Sequence, residues 1–136
     1  MDLVKAMEAA AQGMKAQGTR MRVISENMAN ADTTGKTPGE APYQRQIVTF
    51  KNEVNRQTGA KEVNADKIVK DNAPFIMKYD PSHPAADSKG YVKMPNVNPL
   101  LEMMDMREAQ RSYEANLGVI EMARSMLMHT IDLLRG

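Results

Sequence analysis

The sequence predicts a mainly α-helical protein. Long N- and C-terminal helices pair as an α-helical coiled coil, and a small, irregular, β-containing middle segment joins them. Three observations lead there. All seven prolines lie between Pro38 and Pro99. Eleven of the thirteen methionines lie outside that interval. Apolar residues recur at seven-residue spacing near both ends, which is the period of a helix–helix seam. Composition therefore divides the chain into an N-terminal amphipathic helix (1–34), an extended middle (35–98) and a C-terminal amphipathic helix (99–136), with both helices in one packing domain.

In the first segment Met7, Met14, Met21 and Met28 repeat every seven residues. Leu3, Ala10, Ile24 and Ala31 fill the offset position, which Gln17 interrupts. Gly13 and Gly18 weaken the helix by about 1 kcal/mol each relative to alanine and let another backbone come close. Asn30, Asp32, Thr33, Thr34 and Gly35 then read as a stop.

After Pro99 the repeat is Met106, Tyr113, Ile120, Leu127 and Leu134. Leu117 and Ile131, with Ala109 and Ala123, widen the stripe. Asn116 and Thr130 are polar members that can set register. A helix over 99–136 would be about 50 Å long. An isolated helix of this composition is marginal in water, so each needs the other, and neighbours besides.

Between the helices, 43–50, 74–79 and 90–94 are rich in β-branched and aromatic residues and read as short strands. Residues 51–70 are polar and read as a mobile loop or hairpin tip. Aromatics are scarce, with four Tyr, two Phe and no Trp, so a well-filled globular core is not expected.

Catalytic and ligand-binding readings find little purchase. Gly35-Lys36-Thr37 ends like a phosphate loop, but Asn30 stands where that loop needs glycine, and a helix rather than a strand precedes it. His83 and His129 have no metal-ligand spacing around them. Asp80 with Asp87, and Asp66 with Asp71, suit turn initiation better than acid–base pairing. Ser25 has no histidine nearby to activate it. The chain has no Cys, which removes disulfides and thiolate sites. The expectation is no enzyme, no cofactor and no metal.

A net charge of +1 argues against a polyanionic partner. Arg20 and Arg22 are isolated, and Lys61, Lys67 and Lys70 alternate with acids, so no nucleic-acid face is expected. No apolar stretch is long enough to insert in a membrane, and the first residues lack a cleaved secretory signal.

At Ser25-Glu26-Asn27-Met28-Ala29-Asn30-Ala31-Asp32-Thr33-Thr34-Gly35 the chain resembles the signature that closes the first helix of the bacterial flagellar axial proteins: rod, hook and hook-associated subunits. The stretches 42–46 (PYQRQ), 79–84 (YDPSHP), 90–92 (GYV), 95–98 (PNVN) and 111–116 (RSYEAN) extend the likeness over most of the chain, with residues 51–70 contributing little. The resemblance implies a structural subunit of the basal-body rod. Such a subunit is exported unprocessed through the flagellar type III apparatus and polymerises across the periplasm with copies of itself and other rod proteins. Its terminal helices surround the export channel, and its contacts transmit torque. The seam residues above would carry the assembly contacts. Asn27, Asn30 and Thr33, in the signature with Ser25, Ala29 and Gly35, would close the first helix. The rival is a cytosolic helical adaptor or export chaperone, which would share the Met-rich helices and stay in the cytosol.

Overall fold

The structure, a computed structural model, describes residues 2–136. Two long helices frame four strands in the order α1 (Leu3–Ala29), β1 (Gln46–Val54), β2 (Lys61–Lys70), β3 (Ile76–Tyr79), β4 (Tyr91–Met94) and α2 (Pro99–Arg135). Helix α1 starts where the Asp2 carboxylate accepts the Val4 N–H at 3.0 Å, an N-cap. It ends where Asn30 donates its side-chain amide to the Glu26 carbonyl at 2.8 Å, a second donor on an oxygen that already accepts the Asn30 backbone N–H at 3.1 Å. Helix α2 starts with Asn98 as N-cap, its side chain accepting the Leu100 N–H at 3.1 Å, and Pro99 preset for the first helical turn. Neither helix is long and apolar enough to cross a membrane.

β1 pairs with β2 and β3 with β4, each pair a separate two-stranded sheet. The first is a hairpin built from the polar stretch that the sequence reads as loop or hairpin tip. Its tip is organised by Asn55, whose side-chain oxygen accepts the Gln57 N–H at 2.9 Å, and by Gly59, which takes a φ of 71°. Its ladder needs main-chain partners more than buried side chains, so a largely exposed, polar β2 still forms. The second sheet is antiparallel, with Ile76 opposite Met94 and Tyr79 opposite Tyr91. Gly90 turns at φ 84° beneath the Tyr79 ring, and a Cβ there would fall 2.9 Å from Tyr79 Cε2.

The chain forms two compact units. The first takes α1 through Met21, residues 48–67 of the hairpin, and α2 from Arg107 onward. Here the helices lie side by side and antiparallel. Arg20 pairs with Glu108 at 3.3 Å, and Gly13 faces Asn116 so closely that a Cβ would sit 2.7 Å from the amide nitrogen. Its buried apolar residues are small, among them Ala10, Ala16, Ala109 and Ala123. On the hairpin, Lys51 bridges Glu53 at 2.6 Å and Asp66 at 3.6 Å. The second unit takes residues 22–47 and 68–106. Its buried residues include Val23, Ile24, Val92 and Val97, together with the polar Asn27, Asn96 and Glu102.

Candidate functional site

A buried, hydrogen-bonded polar cluster lies in the second unit and starts from the signature. Asn27, on the last turns of α1, is 1% exposed. Its side-chain oxygen accepts the Gln46 N–H at 2.9 Å and the Tyr43 hydroxyl at 2.8 Å. Its amide nitrogen donates to the Gln46 carbonyl at 2.8 Å. The carboxamide therefore engages both main-chain groups of Gln46 as a neighbouring strand would, at the first residue of β1. Asn27 thus bonds away from its helix, whereas Asn30 bonds back to it and receives the Thr33 hydroxyl at 3.1 Å.

The remaining Asn27 proton points to Glu102 Oε2 at 3.4 Å. Glu102 sits in the first turn of α2 and is itself 1% exposed. A carboxylate buried this deeply needs a cation and good hydrogen bonds. Arg45 supplies them: its Nε donates to Glu102 Oε1. Its Nη1 meets Asp71 at 3.2 Å and its Nη2 lies 3.9 Å from Asp105. Asn96 holds the backbone around this pair, accepting the Arg45 N–H at 2.8 Å and donating to the carbonyls of Asp71 and Ala73 at 3.1 and 3.0 Å. Burial works to lower the Arg45 pKa, but the hydrogen bonds and charges of Glu102 and Asp71 outweigh it and raise it. The Tyr43 phenol is also pushed up, first by burial and then by the Glu26 and Glu102 carboxylates.

The chemistry open to this cluster is mechanical. The guanidinium does not lose its proton, and both Glu102 oxygens are engaged. The cluster pins the end of α1, the start of β1, the segment after β2 and the start of α2. Among the described residues no group of three or more His, Asp or Glu is placed to hold a metal ion. Sequence reasoning missed Glu102, although it is the lone acid in the run Leu100-Leu101-Glu102-Met103-Met104. In that turn the structure inverts the usual arrangement: the carboxylate points in and the four apolar side chains are 46–66% exposed.

The other signature residues fall into place around the turn. Gly35 is buried, and a Cβ on it would come 2.6 Å from the Glu40 carbonyl oxygen. A side chain there would have to push that backbone aside, and the Lys36 N–H caps onto the Glu40 carboxylate at 2.8 Å. Ser25, Ala29 and Thr33 are exposed.

Along the seams, Ile24 is buried. Leu3, Met7, Met14, Met21 and Met28 on α1 are half-buried, as are Met106, Tyr113, Ile120 and Leu127 on α2. Leu117, Ile131 and Leu134 are exposed, Leu134 by 84%. Within one chain the face of α2 that carries them is therefore only partly covered.

Two intervals of the chain match known family models. Residues 7–35 match the family model described as flagella basal body rod protein. Residues 88–133 match the one described as flagellar basal body rod FlgEFG protein C-terminal. The first interval holds Asn27, Asn30 and Gly35; the second holds Asn96 and Glu102. The flagellar basal-body rod protein FlgC of Agrobacterium fabrum is 51% identical over 134 residues, covering 98% of this chain and 96% of that protein. FlgC of Borreliella burgdorferi is 39% identical over 153 residues, covering all of both. FlgC of Bacillus subtilis is 37% identical over 142 residues, covering 93% of this chain and 95% of that one.

Proposed function

The chain belongs to the flagellar basal-body rod protein FlgC family, and we propose that it is a structural subunit of the rod, assembling there with other rod proteins. The observation that carries this reading is the near-full-length likeness to proteins of that name, including 51% identity to one of them. The cytosolic adaptor or chaperone has no such support.

Several finer features belong to the same reading. The seams of α1 and α2 complete a coiled coil in the assembly, where α2's exposed Leu117, Ile131 and Leu134 gain cover from copies of this chain and other rod subunits. Large apolar side chains left in water favour burial by about 25 cal/mol per Å², and exposed apolar surface of this kind marks interaction sites. The helices line the export channel, and contacts between subunits transmit torque across the periplasm. The subunit reaches its place through the flagellar type III apparatus. The role is structural and not enzymatic, and its hub of Asn27, Arg45 and Glu102 keeps each subunit in one shape under load.

The test is to purify basal bodies from cells carrying an epitope-tagged copy. The subunit should copurify with the rod, and deleting its gene should leave basal bodies without a complete rod. Recovery of the protein solely in the soluble cytosolic fraction, with rods intact in the deletion strain, would revive the adaptor.

A further inference from the structure

In the second unit a cleft of about 290 Å³ is bordered by Asp32, Thr34, Lys78, Asp80 and His83. The rod reading uses none of these side chains. His83 makes two contacts there. Its Nδ1 lies 3.0 Å from the Ala85 backbone nitrogen, and its Nε2 lies 3.3 Å from the Thr34 hydroxyl. A backbone N–H can only donate, so Nδ1 must present a lone pair. In the neutral ring the proton then sits on Nε2 and points to Thr34 Oγ1.

We propose that His83 is a protonation-controlled latch between the turn that follows α1 and the loop between β3 and β4. Neutral, the ring bridges the Ala85 amide and the Thr34 hydroxyl. Protonated, it carries a hydrogen on Nδ1 facing the Ala85 hydrogen, loses the acceptor and swings toward carboxylate. The charged groups facing it are Asp80 from its own loop, Asp32 from the turn after α1, and Lys78 from β3; β4 contributes the uncharged Val92 and Met94. Two carboxylates against one ammonium give the cation a place to go. The Ser82 hydroxyl, against the opposing effect of burial, holds the Asp80 carboxyl below its ordinary range, and His83 and Lys78 assist. Asp80 is therefore ionised wherever an imidazole titrates.

The bridge belongs to the neutral ring, so it is present above the imidazole's titration and is lost as pH falls through it. Loss does not unfold the turn after α1, because the Tyr43 N–H still holds the Thr33 carbonyl at 2.9 Å. It frees Thr34 and the 80–90 loop to move separately.

Asparagine at position 83 separates this idea from a static turn, because its side-chain oxygen can accept the N–H two residues on and does not titrate. Hydrogen exchange at the Ala85 amide, measured in wild type and His83→Asn, cancels the intrinsic pH dependence when taken as a ratio. The expected ratio is near one at pH 8. At pH 5 wild type should exchange at least threefold faster. His83→Lys, which cannot accept at any pH, should exchange fast at both. A ratio that does not change with pH overturns the latch. So do imidazole nitrogen shifts that place the neutral proton on Nδ1, a measurement that needs only the unaltered chain and decides alone if a variant fails to fold.

Discussion

The two units are held together by opposite means. The second closes on itself: Asn27, Arg45, Asn96 and Glu102 meet one another's hydrogen-bonding needs within one chain. The first packs its helices through glycine and alanine and leaves much of α2 in water, with residues 124–136 exposed except for the half-buried Leu127. A region that satisfies its own polar groups has its shape set before it meets a neighbour. Both units leave apolar side chains in water, Leu100, Leu101, Met103 and Met104 in the second and Met122, Met126, Leu133 and Leu134 in the first, so it is the buried polar hub that sets the two apart. The hub fixes the shape of the second unit within one chain, and the first unit has no counterpart to it among its described buried residues.

The comparison breaks most readily at Glu102. Glu102→Ala strands the Arg45 guanidinium beside Asp71 and should cost about 3–5 kcal/mol of subunit stability, the usual loss when one partner of a buried ion pair is removed. Denaturant unfolding reads this directly; a loss under 1 kcal/mol would mean the cluster does not hold the unit. Asn27→Ala removes three to four hydrogen bonds at about 0.5–1.5 kcal/mol each. It should cost about 2–4 kcal/mol. Because Asn27 and Glu102 touch, the double variant should lose less than the two costs added.

These two residues also show how much was legible in the sequence. The helices were, because seven-residue repeats run along both ends, no proline follows Pro99 and the stretch 30–35 reads as a stop. The importance of Asn27 was legible from the signature, but not its partner, since a helix-closing bond and a bond to Gln46 need the same side chain. The hub was not legible. Arg45 and Glu102 lie 57 positions apart, and nothing local distinguishes Glu102 from a solvated acid in a first helical turn, where acids are common. Strand β2 was not legible either, for a different reason: most of its side chains remain in water and the one it buries is the polar Glu62, so no apolar alternation is there to read.

Glycines sharpen the comparison at smaller cost. At Gly35, in the second unit, an added Cβ meets the Glu40 backbone oxygen at 2.6 Å. Backbone in a capped turn cannot step aside cheaply, and Gly35→Ala should cost about 1–3 kcal/mol, as overpacking does. At Gly13, in the first unit, the Cβ meets the amide of Asn116, the far end of a side chain that can rotate. Alanine also gains about 1 kcal/mol of helix propensity over glycine. Gly13→Ala should therefore change thermal stability by no more than about 1 kcal/mol in either direction. Equal losses at the two glycines would erase the distinction between a closed unit and an adaptable one.

The smallest effect on the subunit should accompany the largest effect on the assembly. Leu134, 84% exposed near the end of α2, touches little that a single chain would miss. Leu134→Asp should shift unfolding by about 0.5 kcal/mol or less. In a rod the same carboxylate would be forced into an apolar seam, where an unpaired charge costs several kcal/mol at every copy. Cells carrying it should make normal amounts of a normally folded subunit and fail to build rods, scored by electron microscopy of basal bodies and by swimming. Gly35→Ala is the matched control, because it weakens the subunit while leaving the α2 surface untouched. If Leu134→Asp swims and Gly35→Ala does not, the assembly surface lies elsewhere and the exposure of α2 is incidental. If the reverse holds, the surface left open in one chain is the surface that the rod closes.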